Sequence, residues 1–454
     1  MLPRNFTEEQ TMFRDAYRKF LASEIVPHME RWREAGIVDR EAFLRAGEQG
    51  FLMVWPAEKY GGMGDEDFRF EQVIIEETAY ARVGDWYATL HSRLVGPYFT
   101  RFGSEEQCER FLPKCVSGEC ILAVAMTEPD AGSDLAGMRS TAREDGDHWV
   151  LNGSKTYISN GINADAVIVA AKTDPENNPH HMTLFIVERG MEGFERGRNL
   201  KKMGMKAQDT AELFFNDVRV PKANVLGEPG KGFIYLMEGL AEERLIGACG
   251  YLASAQLSWD LTYDYVRERK AFGKPLAAFQ NTQFKLAELR TELDIAQSYV
   301  DQCVAAFNAG QLTAVDAAKA KLVTSELQVK AADVGVQLHG GAGYMDEYAI
   351  SRQYTDARIA TIYAGSSEVM KIITRAKFAR QGIEPDEEQL EAMSAHLREQ
   401  IDREALPYFA TARLWDDGII DPRDSRRVLG FALATVYEAE RRQLRPNTFG
   451  VARG

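Results

Sequence analysis

His148-Trp149-Val150-Leu151-Asn152-Gly153-Ser154-Lys155-Thr156-Tyr157-Ile158-Ser159 is the stretch on which the fold class turns. Apolar and polar residues alternate on a period of two, the signature of a half-buried strand. Asn152-Gly153 is the dipeptide best suited to a type I′ turn, so the stretch is expected to be a hairpin. Further β-branched or aromatic runs follow at Ala164 to Thr173, Met182 to Glu188 and Ala211 to Val220, and Pro221 helps to end the last. Together they predict a small β domain over residues 123–232.

Helical patterning lies on both sides of it. Residues 1–122 are expected to be an N-terminal helical domain. Thr7-Glu8-Glu9-Gln10 fits a capping box, followed at helical spacing by Met12, Phe13, Tyr17, Phe20 and Leu21. Ser104-Glu105-Glu106-Gln107 repeats the signature ahead of Phe111 and Leu112, and a glycine-rich loop, Tyr60 to Gly64, interrupts the pattern between them. Residues 233–380 read as a helical bundle, with long segments at Thr282 to Ala309 and Thr313 to Leu338. Residues 381–454 form a charged, appended helical segment. The fold class is therefore mainly α with an inserted β domain.

The chain of 454 residues carries a formal net charge of −14. That argues against nucleic acid, whose phosphates need clustered Lys and Arg. An anionic ligand must then be held by local basic groups or helix N-termini. The five cysteines, Cys108, Cys115, Cys120, Cys249 and Cys303, form no C-x-x-C pair, which suits a reducing compartment. No apolar run approaches membrane-spanning length, and the first residues show no secretory signal, so a cytoplasmic protein is expected.

Chemistry-bearing motifs of the common kinds are missing. No G-x-G-x-x-G lies between a strand and a helix, and there is no P-loop or H-E-x-x-H. His180-His181 sits beside Asp174 and Glu176, but a solvated loop explains the pair better than a metal site, and none is expected. Five segments stand out instead: Ala125 to Asp134 (AMTEPDAGSD), Thr156 to Gly161 (TYISNG), Arg269 to Pro275 (RKAFGKP), Gln337 to Tyr344 (QLHGGAGY) and Ile362 to Glu368 (IYAGSSE). Singly, each has a plain structural explanation as a turn, a solvated helix end or a helix stop.

In this order, across a helix-β-helix chain, the segments resemble the acyl-CoA dehydrogenase family from about residue 6 to residue 380. Lys201 to Glu212 (KKMGMKAQDTAE) and Ala364 resemble its long-chain branch. The resemblance implies the family's fold: a helical domain, a small β-barrel or sandwich domain and a four-helix-bundle domain. It implies FAD as cofactor, and FAD-dependent α,β-dehydrogenation of an acyl-CoA thioester to the trans-2-enoyl-CoA, a step of fatty acid β-oxidation. Electrons would pass to electron-transfer flavoprotein. Met126, Thr127, Ser133 and Ser159 would hydrogen-bond the flavin and Tyr157 would cover its ring. The family more often has Trp and Thr where this chain has Tyr157 and Ser159, which keep an aromatic face and a hydroxyl. Arg269, Phe272 and Gln280 would reach the FAD of a neighbouring subunit, with Gln337, Gly340 and Gly341 near its adenine end. Ser366 and Glu368 would complete the flavin contacts, and Ser133, Arg244 and Gly365 would meet the acyl-CoA. Shared sites of this kind imply an oligomer, a homotetramer built as a dimer of dimers.

Oxidation at Cα–Cβ needs a carboxylate aimed at the α-hydrogen. Many family members carry a Glu where this chain has Ala364. In the long-chain and isovaleryl branches the base lies on a helix just before an Arg, and Leu240-Ala241-Glu242-Glu243-Arg244-Leu245 matches that pattern. Glu243 is thereby the expected base. Glu242 is the one-residue alternative, about 100° around the helix, and Glu242→Gln is expected to be mild. Medium- to long-chain substrates come first and branched-chain ones second. Rival readings are an oxygen-using acyl-CoA oxidase and, from another class, a non-catalytic acyl-CoA-binding protein. The tail, with Leu406 to Pro422 (LPYFATARLWDDGIIDP) and Arg426 to Gly430, resembles the C-terminal end of the carboxyltransferase subunit of methylcrotonyl-CoA-type carboxylases. That match is too short to imply carboxylase activity.

Overall fold

The computed structural model describes residues 4–176, 178, 180–379 and 424–441. The N-terminal helices are α1 (Glu8–Phe20), α2 (Met29–Ala35), α3 (Arg40–Glu48), α4 (Phe68–Tyr80), α5 (Pro97–Phe102) and α6 (Glu105–Val116). Both capping boxes form. Thr7 and Ser104 accept from the backbone N–H of Gln10 and Gln107, whose side chains take the N–H of each cap residue in return. A wide π-type turn at Leu90–Val95 leads into α5. Tyr17, Phe20, Phe43, Trp32 and Trp86 fill the core of this domain.

The strands are β1 (Leu122–Ala125), β2 (Thr141–Asp145), β3 (His148–Ser159), β4 (Ala166–Lys172), β5 (Met182–Glu188), β6 (Phe194–Asn199), β7 (Thr210–Pro221) and β8 (Val225–Leu226). They form one sheet in the order β6-β7-β3-β2-β4-β5-β8, with β1 alongside β4 in parallel. β4 and β5 read as unbroken apolar runs because both faces are covered. Val167, Val169, Phe185 and Val187 point into the β-domain core. Ile168, Ala170, Leu184 and Ile186 point the other way, against Phe99, Leu112 and Cys115 of the helical domain. The alternation of side chains along a strand thus joins two domains.

The expected hairpin at Asn152-Gly153 does not form. β3 runs straight through it, and the turn lies earlier, at Gly146-Asp147, where Asp145 pairs with His148 and Gly146 sits at φ 62°. Gly153 is held in the strand by a close approach: a Cβ there would sit 2.3 Å from Ser140 Oγ. Asn152 is used across the sheet, exchanging hydrogen bonds with the backbone and side chain of Asp217 at a bulge against β7. A tertiary contact therefore overrode the local turn preference.

Helices return at α7 (Gly232–Glu268), α8 (Gln280–Asn308), α9 (Ala314–His339), α10 (Ala349–Ala357) and α11 (Ser367–Ala379). Thr313 caps α9 through Asp316 N–H. The 37-residue α7 is buried on most sides between Leu236 and Ser258, packing against α4, α8, α9 and α10. Among the described residues no helix is long and apolar enough to cross a membrane. Residues up to Ala379 form one compact unit. In the remainder, α12 (Ser425–Arg441) is described; Trp415 and the LPYFATARLWDDGIIDP stretch lie outside the described residues.

Candidate active site

Glu243 lies near the start of α7 and is only 7% exposed. Burial, with the charge of Glu242, outweighs the hydrogen bond from Tyr98 and the charges of Arg244 and Arg101, and the carboxyl is pushed up to about 7. Tyr98, on α5, donates from its hydroxyl to Glu243 Oε1 at 3.2 Å. Gly239, one turn earlier, leaves room for this pair: a Cβ there would lie 3.2 Å from the Tyr98 hydroxyl. A carboxyl poised near neutrality can take a proton at physiological pH and still return it.

Glu242 has a different environment. It is 3% exposed and bonds Arg93 at 2.6 Å and also Arg101. The Arg93 guanidinium in turn faces the rings of Trp55, Phe68 and Phe307. The expectation that Glu242→Gln is mild does not survive this geometry. Removing the negative charge leaves Arg93 buried without its partner, the costly way to break such a pair. The same ion pairs fix Glu242 as a structural acid and leave Glu243 as the candidate base.

The loop bearing Ala364 lies over the same helix. Tyr363 packs on Tyr251 of α7 with centroids 5.9 Å apart. Lys321 of α9 donates to Gly365 O at 2.6 Å, and Lys321 is close enough to Arg244 for the two charges to repel. So Gly365 and Arg244 belong to one neighbourhood. Arg244 is buried, its Nε has no hydrogen-bond partner among the described residues, and burial lowers its pKa. Ala364 sits at φ 52° and Gly365 at φ 91°.

A second group gathers on the β domain. The Thr156 N–H donates to Thr127 O at 2.9 Å, laying the Met126-Thr127 segment beside the Tyr157-to-Ser159 end of β3. A buried pair missing from the sequence reading holds them: Lys155 Nζ bonds Glu128 at 2.8 Å and Met126 O at 3.2 Å. Glu128 also accepts the backbone N–H of Arg139 and Ser140, closing the loop around the exposed Ser133. Tyr157 presents a ring 70% exposed from left-handed backbone, φ 60°.

A third group is exposed at one end of the bundle. Arg269 follows α7, Phe272 tops a tight hairpin at φ 52° and 95% exposure, and Gln280 opens α8. Tyr265 stacks on His339 at 4.1 Å and donates to its carbonyl, bringing this corner next to Gln337, Gly340 and Gly341. Ser366 and Glu368 stand instead at the start of α11, where the Ser366 hydroxyl accepts the Val369 N–H. Tyr157, Phe272 and Ala364 are three of eight non-glycine residues with positive φ among the described residues. Such strain concentrates at functional sites.

Residues 7–119 match the acyl-CoA dehydrogenase N-terminal domain, 123–218 the middle domain and 230–378 the C-terminal domain. The mitochondrial long-chain specific acyl-CoA dehydrogenase of Sus scrofa is 47% identical over 370 residues, 81% of this chain and 86% of that one. The chain belongs to the acyl-CoA dehydrogenase family. Its activity is that of an oxidoreductase acting on CH–CH bonds, and its cofactor is FAD. An acyl-CoA dehydrogenase from Geobacillus kaustophilus superimposes with a TM-score of 0.81 at 46% identity, covering 83% of this chain and all of that one. An acyl-CoA dehydrogenase from Bacillus anthracis, complexed with FAD, gives a TM-score of 0.78 at 33% identity, covering 84% and 70%. Residues 336–451 also match a carboxyl transferase domain.

The chemistry of the residues fits the acyl-CoA dehydrogenase cofactor. The β-domain group supplies hydroxyls and an outward aromatic face for a flavin ring. The bundle-end group supplies the exposed guanidinium of Arg269 for a pyrophosphate. His180 and His181 are engaged locally, with Phe233 and Thr173, and no metal-binding cluster occurs among the described residues. Sequence reasoning missed Tyr98, Arg93, Arg101 and the Lys155–Glu128 pair. No spacing rule links Tyr98 to a residue 145 positions away.

Proposed function

We propose that Glu243 is the base that removes the α-hydrogen of a bound acyl-CoA, in the α,β-dehydrogenation that yields the trans-2-enoyl-CoA. The observation carrying this is the buried Glu243 carboxyl, raised to about 7 and held by Tyr98, in a chain with Ala at 364. The α-proton goes to Glu243 Oε, the Cα–H pair forms the new C=C bond, and the Cβ hydrogen leaves as hydride. FAD, when bound, supplies the acceptor for that hydride. Tyr98 keeps the carboxylate pointed and partly ionised; Arg244, the Lys321-braced Gly365 loop and Ser133 would meet the acyl-CoA.

Met126, Thr127, Ser133, Tyr157, Ser159, Ser366 and Glu368 would hold the flavin of their own chain. Arg269, Phe272, Gln280, Gln337, Gly340 and Gly341 would serve a neighbouring subunit's FAD. Their exposure, above all that of Phe272, supports a homotetramer in which the exposed ring is covered. Electron-transfer flavoprotein is the electron acceptor in this reading, and medium- to long-chain acyl-CoAs the substrates, with branched chains second. Five free, buried cysteines suit a reducing, cytoplasmic setting.

The test is Glu243→Gln alone and combined with Ala364→Glu. The single variant should lose activity, and the double variant should regain part of it if both positions address one α-carbon. A double variant no better than the single one, with FAD and acyl-CoA still bound, argues against that shared geometry. Rapid oxygen consumption on adding acyl-CoA without another acceptor would favour an oxidase.

A further inference from the structure

A cavity of about 230 Å³ runs between α4, α7 and α10. Its inner end adjoins the candidate site: Gly247 lies one turn beyond Glu243, and Tyr363 directly precedes Ala364. Gly247, Gly250 and Ser254 then follow one face of α7 outward. Ser254 stands about 16 Å along the helix from Glu243. α4 runs beside α7 in the same direction, with Ile75 against Gly250 and the Tyr80 hydroxyl on Gln256 Oε1 at 2.7 Å. α10 leads back toward the site. Ile350 and Thr262 both press on Gly335 at the far level of α7, and the chain returns to Tyr363 on Tyr251.

The two ends of this cavity differ in chemistry. Ile75, Ile246, Gly247 and Gly250 line the inner part. Arg33, Arg82, Glu347, Arg352 and Asp356 line the outer part. Arg33 bonds Asp85 at 2.9 Å and Glu30 at 3.0 Å, and Arg352 bonds the same Glu30 at 2.5 Å. Arg82 and Glu347 are exposed. An acyl chain pushed among these groups would strip them of water and offer nothing in return. The inner part is therefore where hydrocarbon can lie.

Met205 stands where the two parts meet. It lines the cavity from left-handed backbone, φ 49°. Carboxylates from both helical domains hold its loop. Asp356 of α10 accepts the Met205 N–H at 2.5 Å, and the buried Asp85 accepts the Ala207 N–H at 3.4 Å. Gly204 is pressed onto α10, where a Cβ would stand 2.4 Å from Thr355 O. The Met205 side chain is thus fixed at the level of Asp356, between Tyr363 on the inner side and Arg352 on the outer.

We infer that Met205 sets the longest acyl chain this enzyme oxidises, as the apolar stop between the methyl end of the chain and the charged outer part of the cavity. The inference rests on the reading of Glu243 as the base at the inner end.

The experiment uses the FAD-loaded enzyme without oxygen. Flavin bleaching is followed with saturated acyl-CoAs from octanoyl-CoA to eicosanoyl-CoA, each below its micelle-forming concentration. The apparent second-order rate constant should fall beyond a limiting length. Glycine adopts φ 49° without strain, so Met205→Gly should fold while losing the whole side chain. Its limit should lengthen by about two carbons, and the first thioester beyond the parental limit should gain about tenfold relative to octanoyl-CoA. The gain should go no further, because the ion pairs behind remain. Met205→Phe should move the limit the other way. A limit unmoved in both variants, or a parent without any limit across the series, overturns the inference and leaves Glu243 untouched. A parent that bleaches with none of the thioesters sinks the reading beneath it as well. If one variant loses FAD, the shift in the other decides; loss of FAD from both overturns the inference, since the side chain would then serve the fold rather than the cavity.

Discussion

Replacing Tyr98 by Phe removes one atom and tests how the base is tuned. The Tyr98 hydroxyl donates to Glu243 Oε1 at 3.2 Å and favours the ionised carboxylate. A hydrogen bond to a charged group contributes about 1.5–3 kcal/mol. At 3.2 Å this one is long, so the low end applies, close to one pKa unit at about 1.4 kcal/mol. Glu243 would then rise from about 7 to roughly 8. Only the ionised form can accept the α-proton, so the rate of flavin reduction rises with pH through the carboxyl's midpoint. At pH 7 the ionised fraction would fall from about a half to about a tenth, and the rate roughly fivefold. Above pH 9 the variant should approach the unaltered enzyme. The assay is stopped-flow flavin reduction by acyl-CoA across pH. Glu242, Arg101 and Arg244 also face this carboxyl and stay in place, so the shift belongs to Tyr98. A loss of equal size at every pH, or a midpoint that moves down, would refute the reasoning.

Two other substitutions read other parts of the site. Glu242→Gln should lower stability by about 3 kcal/mol, because Arg93 and Arg101 lose their shared carboxylate; a denaturant midpoint unchanged from the parent would show that the pair contributes little. Arg269→Ala should weaken FAD retention by removing a fork-shaped phosphate partner. Flavin content per chain after gel filtration measures it, and full retention would show that Arg269 does not hold the cofactor.

Much of the fold was legible because it follows from local rules. The capping boxes at Thr7 and Ser104 and the apolar run of β4 each depend on residues a few positions apart. Asn152-Gly153 misled because its fate depended on Ser140 and Asp217, which sequence proximity does not reveal. At the site, the pairing of Ala364 with Glu243-Arg244 was readable only through the family pattern. Helical geometry separated Glu242 from Glu243 by angle but said nothing of what each would meet. The Arg93 and Arg101 partners and the Tyr98 hydroxyl are products of packing between distant helices, so they had to be seen in three dimensions.

The claim that Glu243 abstracts the α-proton is tested most directly by anaerobic, single-turnover flavin reduction in Glu243→Gln. Glutamine keeps the shape and can still accept the Tyr98 hydrogen bond, but it cannot take a proton near neutral pH. The account predicts a variant that binds FAD and acyl-CoA normally and bleaches its flavin at least about 10²-fold more slowly. Bleaching at the parental rate would contradict it.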